Sequence, residues 1–525
     1  MGKYLINRIL RGIFSIIAVV ALVMILVYSL LDRNLLFKVD PTFVKTAKNQ
    51  RAEYMNNKWE EYGYLDCVTY ADYLKDLVKN GEIDEETRAA AVSIARTPDK
   101  DQGLVKEYVE KFTQLYQSRG YTIHRLDAVM ASKHSTKLAN GGEQKLFATK
   151  DIPLIQRLIK YFTGIIEVDN IHYATGDVGE RGLTFTLHDP VYNGKFAPAI
   201  IGNGTKHKYL LYVDDKFPYI HQNLALLRMG TSYTVNNGVD VFDTMSRSQG
   251  SYILSETTFP TGFVEQSADD LHTATYREGS RTSNPINEAR FTDDYTNVFT
   301  VRGAPSKLGF SFINGIISTA IAYLIGVPMG VAMARKKDQL LDKIGTLYII
   351  FIIAVPSLAY IFLFKAIGGQ VLGLPTLFDM DTNSKAMYIL PIISLALPSI
   401  GGTMKWLRRY MIDQMNSDYV KFARSGGLTE NEIFAKHILK NAAIPIFHGI
   451  PGAIIFAMTG AIITERVYVV PGAGNLLTEA INKYDNSVIV GMVLFYATLS
   501  VTSIILGDLV MAAVDPRISF TSKAR

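Results

Sequence analysis

A chain of 525 residues exceeds what one compact core usually organises, so at least two structural units are expected. A formal net charge of +5 is too small to argue for a nucleic-acid partner, and none is expected; the 48% hydrophobic content averages two unlike parts, with apolar runs at 12–31 and beyond 308 and a polar, charged stretch at 33–305. The lone cysteine, Cys67, excludes an internal disulfide framework and a cysteine-based metal cluster, and reads as a small semi-buried side chain.

In chain order, Lys3, Arg8 and Arg11 precede the apolar run Ile13–Leu31, long enough as a helix to cross about 30 Å of hydrocarbon. A signal peptide shares this start, but Leu31-Asp-Arg-Asn-Leu-Leu-Phe-Lys38 offers no small-x-small cleavage site. Residues 1–32 therefore read as an uncleaved anchor with its N-terminus in the cytoplasm.

Residues 33–305 read as an α+β domain inserted between the first and second spans. Val109, Phe112 and Tyr116 recur at helical spacing, and helices are expected to dominate to about residue 165. From about 180, the runs Thr184–Leu187, Tyr209–Val213 and Ser251–Leu254 alternate with turn residues and read as strands. One preceding span places this domain on the extracellular side. It holds little chemistry: His172, His188, His207 and His221 are scattered, and no zinc, nucleophile-elbow or phosphate-loop pattern occurs in the chain. Asn203-Gly-Thr205 has the form of a glycosylation sequon but reads as a turn.

Residues 306–525 carry five further apolar runs, Phe310–Ala334, Ile344–Ile367, Met387–Leu407, Ile446–Ile463 and Val488–Val514, for six spans with the anchor. Arg335-Lys-Lys337 lies between spans two and three, and Lys405, Arg408, Arg409, Lys421, Arg424, Lys436 and Lys440 lie between spans four and five. This is the positive-inside pattern of a multi-pass plasma-membrane protein with both termini in the cytoplasm. Pro328, Pro356, Pro391, Pro398, Pro451 and Gly460 punctuate the spans, which favours a translocation pathway over a passive anchor bundle. Gly315, Ser318 and Ala322 suggest tight helix contacts, and Asp508 is the clearest acid inside a span.

The chain is organised around residues 416–445. Asp418–Ser425 reads as a short helix ended by Gly426-Gly427; Thr429 begins a second helix in a capping box with Glu432; Ile433, Phe434 and Ile438 give it an apolar face; Pro445 is expected to stop the run. The alternative for this element is an interfacial helix with its basic residues on anionic lipid.

Three stretches in this order carry a resemblance. Asp418-Tyr-Val, Ala423-x-x-x-Gly427-Leu428 and Asn441-Ala-Ala-Ile-Pro445 resemble the coupling loop, or EAA loop, of bacterial ABC-importer permeases. Glu465-Arg-Val-Tyr-Val-Val-Pro471-Gly-Ala-Gly474 with Glu479-Ala480 and Asp485, and Asp508 with Asp515-Pro-Arg517, are similar to the B-type permease subunit of the oligopeptide and dipeptide branch. The resemblance covers residues 1–35 and 300–520; Ala423-Arg-Ser departs from the commoner Glu-Ala-Ala, as that branch often does. Tyr161-Phe162 and Gly176-Asp-Val-Gly179 look like the family's short external segment, so the rest of 33–305 resembles the enlargement of Gram-positive versions.

The resemblance implies an all-α core of the type I importer permease fold, a non-catalytic subunit without cofactors of its own, and a peptide substrate, oligopeptides being favoured. It implies as partners a sister permease subunit of the C type, two ATP-binding subunits that hold ATP and Mg2+, an extracellular substrate-binding lipoprotein and the lipid bilayer. Tyr419, Phe422, Ala423, Gly426, Gly427, Leu428 and Glu432 become the candidates for ATPase coupling, with Gly427 as hinge. Glu465, Arg466, Pro471, Gly472 and Gly474 become the candidates for an external gate. The extracellular insert is expected either to receive the lipoprotein or to pack on the sister subunit. A membrane receptor sensing through 33–305 is the alternative, disfavoured by the absence of an output module after the last span; a membrane hydrolase is disfavoured by the missing catalytic constellation.

Overall fold

The computed structural model describes residues 2–46, 51–95, 97–126, 144–174, 176–188, 196–213, 220–236, 238–246, 256–258, 264–266, 276–277, 299–300, 306–379, 384–458 and 462–514. Contacts divide the chain into Met24–Gly164 and a second unit of Met1–Val23 with Ile165–Arg525. The dividing line therefore falls at Gly164, inside the expected insert of 33–305 rather than at its C-terminal end.

The unit Met24–Gly164 mixes helices with a sheet that the expectation of helical dominance overlooked. Strands β1 (Leu65–Thr69), β2 (Thr122–Leu126) and β3 (Lys145–Asp151) form an antiparallel sheet in the order β1-β3-β2. These strands mix Asp66, His124, Arg125 and Lys150 among their apolar residues, which blurred the period-two signal. The division at Val23 falls within helix α1 (Gly2–Leu30), and α2 (Arg51–Glu61) precedes β1. Helices α3 (Tyr70–Lys79), α4 (Glu85–Ala91) and α5 (Gly103–Ser118) cover the face that carries Leu146 and Ala148, and α6 (Leu154–Gly164) ends the unit. Val109, Phe112 and Tyr116 lie in α5 as their spacing required, and Phe112 is fully buried against Tyr70 and Tyr73. Burial pushes the Cys67 thiol up to about 12, which leaves it protonated and inert at neutral pH.

In the second unit, β4 (Ile166–Val168) pairs with β9 (Ala225–Leu227), and β5 (Gly182–Thr186), β6 (Ala199–Asn203), β7 (Tyr209–Val213) and β8 (Ile220–Gln222) form a sheet in sequence order. The strands expected at 184–187 and 209–213 are present; Ser251–Leu254 lies outside the described residues. Asn203 donates through Nδ2 to the carbonyls of Val178 and Glu180 at 2.9 and 2.7 Å, and Gly204 sits at φ +87°, which makes the sequon-like triplet a turn. Buried His207 meets Asp169 at 3.1 Å, and among the described residues no cluster could hold a metal ion.

Among the described residues, five helices are long and apolar enough to cross a membrane. They include α1 and α8 (Lys307–Arg335), and further along α11 (Ile389–Met415), α13 (Lys440–Met458) and α16 (Asn486–Val514). The expected span Ile344–Ile367 is not one helix: α9 (Leu340–Ala354) and α10 (Ser357–Gln370) meet at 109°. Pro356 is the cause. It lacks an N–H and forces Val355 before it into an extended conformation, φ −84° and ψ 127°. Pro445, expected as a stop, instead lies inside α13, because neighbouring helices let a membrane helix lose one backbone hydrogen bond and continue.

Packing in the bundle follows small residues. A Cβ at Gly326 would stand 2.9 Å from Thr403 and 3.1 Å from the Ile400 carbonyl, so α8 lies directly on α11 there. At the other crossing, Asp508 of α16 accepts from Arg8 at 3.0 Å and from the Tyr4 hydroxyl at 3.1 Å, which ties α1 to the last helix. The intramembrane acid thus has a structural partner set; Asp515-Pro-Arg517 and Gly460 lie outside the described residues.

Candidate functional site

The elbow between α11 and α13 is built as its sequence dictates. Helix α12 (Asp418–Ser425) ends in a Schellman turn: Gly427 N–H donates to Arg424 O at 3.2 Å and Leu428 N–H to Ala423 O at 3.3 Å, with Gly427 at φ +84°. Thr429 caps the next turn, and Glu432 completes the capping box, its Oε2 accepting from Thr429 N at 3.2 Å. Residues Ile433–Leu439 are wound as π-helix and run into α13.

An ion pair and a tyrosine hydroxyl brace the bend. Arg424 reaches across the glycine pair to Glu430 at 2.5 and 3.1 Å, and this guanidinium holds the Glu430 carboxyl below the usual carboxylate range; the Thr429 hydroxyl does the same for Glu432. Tyr419 Oη donates to Gln414 Oε1 at 2.6 Å and accepts from Asn441 Nδ2 at 3.0 Å, joining the end of α11, the elbow and the start of α13. One turn earlier, Arg408 of α11 grips Asp342 of α9 in a two-point bond at 2.5 and 2.7 Å.

Burial sorts the predicted coupling residues. Val420, Ile433 and Ile438 pack with Leu407 and Met411 as the elbow's core, and Ala423 leans on that cluster, so Ala423 is a packing residue and not a free knob. Phe422 is 80% exposed, and Leu428 and Tyr419 are exposed beside it. Phe422 is thus an exposed aromatic on a frame braced by Arg424–Glu430 and Tyr419.

The predicted gate residues converge on a single carboxylate. Glu465 lies in α14 (Ile462–Tyr468) at 3% exposure, accepting from Ser311 Oγ at 2.6 Å and from Asn475 N–H at 3.0 Å, at the N-terminus of α15 (Ala473–Asn482). Side chains at Gly472 or Gly474 would collide with it, which explains both glycines. Pro471 leads into this turn, while Arg466 is exposed and turned away. Glu465 therefore shapes the hairpin from inside. Val469, a β-branched residue at φ +58°, is held in that strained conformation between buried Tyr468 and Val470 at a cost of about 1–2 kcal/mol.

Sequence reasoning missed two features. The first is a cavity of about 500 Å3 between α8, α11 and α13, whose wall includes Ser318, Thr319, Ser399, Thr403, Trp406 and Tyr410 and no charged side chain. Its signal was visible: small and hydroxyl residues recur at 315, 318, 319 and 322 and again at 399, 402 and 403, one stripe on each helix. The second is the environment of Asp485. Its carboxylate is fully buried and accepts from Ser232 Oγ, from the N–H groups of Tyr233, Thr234 and Val235 at 2.8 to 3.0 Å, and from Val488 N–H. Helix α7 (Val241–Ser246) lies against the same helix, with Val241 so near Gly491 that a side chain there would clash. The stretch 229–246 is thus latched onto the start of α16.

Residues 326–520 match the family described as binding-protein-dependent transport system inner membrane component. The oligopeptide transport system permease protein AmiC of Streptococcus pneumoniae is 32% identical over 530 residues, covering 100% of this chain and 99% of its own. The dipeptide transport system permease protein DppB of Lactococcus lactis is 31% identical over 43% of this chain and 73% of its own. Among solved structures, an inward-facing methionine ABC transporter covers 40% of this chain and 94% of its own with 14% identity and a TM-score of 0.32, too weak a likeness to carry an argument.

Proposed function

Because the chain belongs to the peptide permease family of ABC importers, whose members are non-catalytic membrane subunits, we propose that it forms half of a translocation pathway for oligopeptides and takes its drive from separate ATPase subunits. In this reading α9 and α10 together make one broken span, both termini and the elbow lie in the cytoplasm, and residues 33–305 lie outside. Two ATP-binding subunits holding ATP and Mg2+ dock below, a C-type sister subunit completes the pathway, and a substrate-binding lipoprotein delivers peptide from outside. The receptor alternative finds no support among the relatives.

The observation that carries the proposal is the elbow: Phe422 stands out at 80% exposure while Val420, Ile433 and Ile438 of the same elbow are buried. Phe422, Leu428 and Tyr419 would enter a groove on the ATPase; Gly426, Gly427, Ala423 and Glu432 hold their frame. Displacement there passes to α11 through Tyr419 and Val420 and to α13 through the π-wound turn, and α11 passes it to α9 through Arg408–Asp342. The cavity between these helices suits a peptide cargo of varied sequence. Hydroxyls and the Trp406 and Tyr410 rings can meet a peptide backbone and apolar side chains, and the absence of charge in the wall discriminates against neither acidic nor basic peptides.

Affinity purification of the tagged chain from native membranes tests this. Two ATPase subunits should accompany the wild type and be lost from Phe422→Ala, with membrane insertion unchanged; full retention of the ATPases by that variant would defeat the docking assignment.

A further inference from the structure

One built pocket outside the elbow and the membrane cavity is left without a role. It lies within the unit Met24–Gly164, between α2 and the sheet face opposite the helical core, and holds about 480 Å3. Strand alternation makes it. Leu146, Ala148 and Ile123 turn to the core, which sends Thr149 and Asp151 of β3 and Thr122 and His124 of β2 to the pocket side.

Its walls are of two kinds. Arg33 donates from Nη1 to Asp151 Oδ1 at 2.8 Å while its guanidinium lies 4.2 Å from the centre of the Trp59 ring. Its other N–H groups and Asp151 Oδ2 have no partner among the described residues. Met55, Leu65 and Trp59 supply apolar surface, and the Trp59 indole N–H is buried without an acceptor, an unmet donor of the kind native proteins rarely leave. Burial holds His124 below the usual imidazole range, so its ring adds no charge at neutral pH.

We propose that this pocket binds an apolar α-amino-acid unit through its free terminal charge, either a free amino acid, which engages both Arg33 and Asp151, or the end residue of a short peptide, which engages the one of the two that matches its single charge. The open guanidinium N–H groups of Arg33 match a carboxylate in planar two-point geometry, Asp151 Oδ2 accepts from an ammonium, and Met55, Leu65 and Trp59 take the side chain. Arg33 and Asp151 together complement a zwitterion and either one a charged peptide end, while Lys150, the remaining charged residue of the lining, donates to the Arg119 carbonyl at 2.8 Å and lies over the Tyr121 ring. Naming a peptide end as one of the two sources rests on the transport reading proposed above; the amino-acid source does not.

The chain has two tryptophans, so Trp406→Phe leaves Trp59 as the only one and its emission as a local reporter. Purified full-length chain carrying that change is titrated with L-leucine, with trileucine and with N-acetyl-leucine amide, which lacks both charges. A saturable response to leucine or trileucine and none to the capped compound is expected. Leucine alone would assign the free amino acid, trileucine alone the peptide end. Arg33→Ala and Asp151→Asn should each weaken leucine binding about tenfold, and the near-isosteric Thr149→Val, which spares the charges should those variants misfold, about threefold. No saturable response to either charged ligand, an equal response to the capped one, or unaltered binding in all three variants would overturn the proposal. The assay needs no partner subunit and reads no uptake, so its failure is distinct from failure of the transport reading.

Discussion

Substituting the paired glycines one at a time separates a backbone requirement from mere smallness. At Gly427, φ is +84° and nothing stands within 4 Å of an added Cβ, so the penalty of a side chain is conformational: about 1–2 kcal/mol for alanine and more for a β-branched valine. At Gly426, φ is −76° and a Cβ would meet the carbonyls of Phe422 and Ala423 at 3.5 Å, an ordinary contact, so alanine there is neutral. A penalty of about 1–2 kcal/mol shifts the balance between bent and unbent elbow by a factor of about 5–30. Uptake of a radiolabelled oligopeptide by a strain expressing each variant in place of the native chain, normalised to membrane abundance by immunoblot, reads the effect. Gly426→Ala should equal wild type, Gly427→Ala should be slower and Gly427→Val slowest, at constant abundance. Wild-type uptake by Gly427→Val, or equal impairment of the two alanine variants, would refute the hinge.

Four further outcomes follow from the same structure. Phe422→Ala should lower uptake about tenfold or more while thermal stability in detergent moves by no more than about 0.5 kcal/mol, since the ring makes few contacts within the chain. Asp485→Ala should lower the melting temperature and speed proteolysis near 229–246, because it strands the Ser232 hydroxyl and four N–H groups in a buried site, a loss of about 3 kcal/mol or more. Burial pushes Asp240 up to about 6, so the folded chain holds its proton where the unfolded chain has released it; stability should therefore fall as pH rises from about 4 to 6, by up to about 3 kcal/mol, and level off above. Melting curves of Asp240→Asn across that range should lack the decline. Ser399→Asp, which puts a charge into an uncharged wall, should slow uptake of acidic peptides relative to basic ones by about tenfold in competition assays.

The elbow was legible residue by residue because its determinants are local: a glycine at positive φ, a Thr–Glu capping box and apolar residues at helical spacing all act within a few positions. The broken span at Pro356 was not, since hydropathy counts apolar residues and is blind to the direction a chain takes after losing a backbone donor. The burial of Glu465 was not legible for a related reason. A carboxylate next to a Pro-Gly-Ala-Gly turn looks available to a pathway, and only the packing of Gly472 and Gly474 around it shows it buried. The Asp485 latch joins residues about 250 positions apart, Ser232 and Asp485 being separated by 253, and no pattern within either segment announces the other. The three-stranded sheet before residue 152 was hidden in the same way, its β1 and β3 partners lying far apart in sequence.

Cross-linking from a single position tests the central claim most directly. With Cys67→Ser removing the native thiol, a cysteine placed by Phe422→Cys should be shielded from a membrane-impermeant maleimide in intact cells, react with it in inverted vesicles, and form a cross-link to an ATPase subunit whose yield changes with nucleotide. Labelling of that cysteine from outside intact cells, or a cross-link yield indifferent to the presence of the ATPase subunits, would contradict the account.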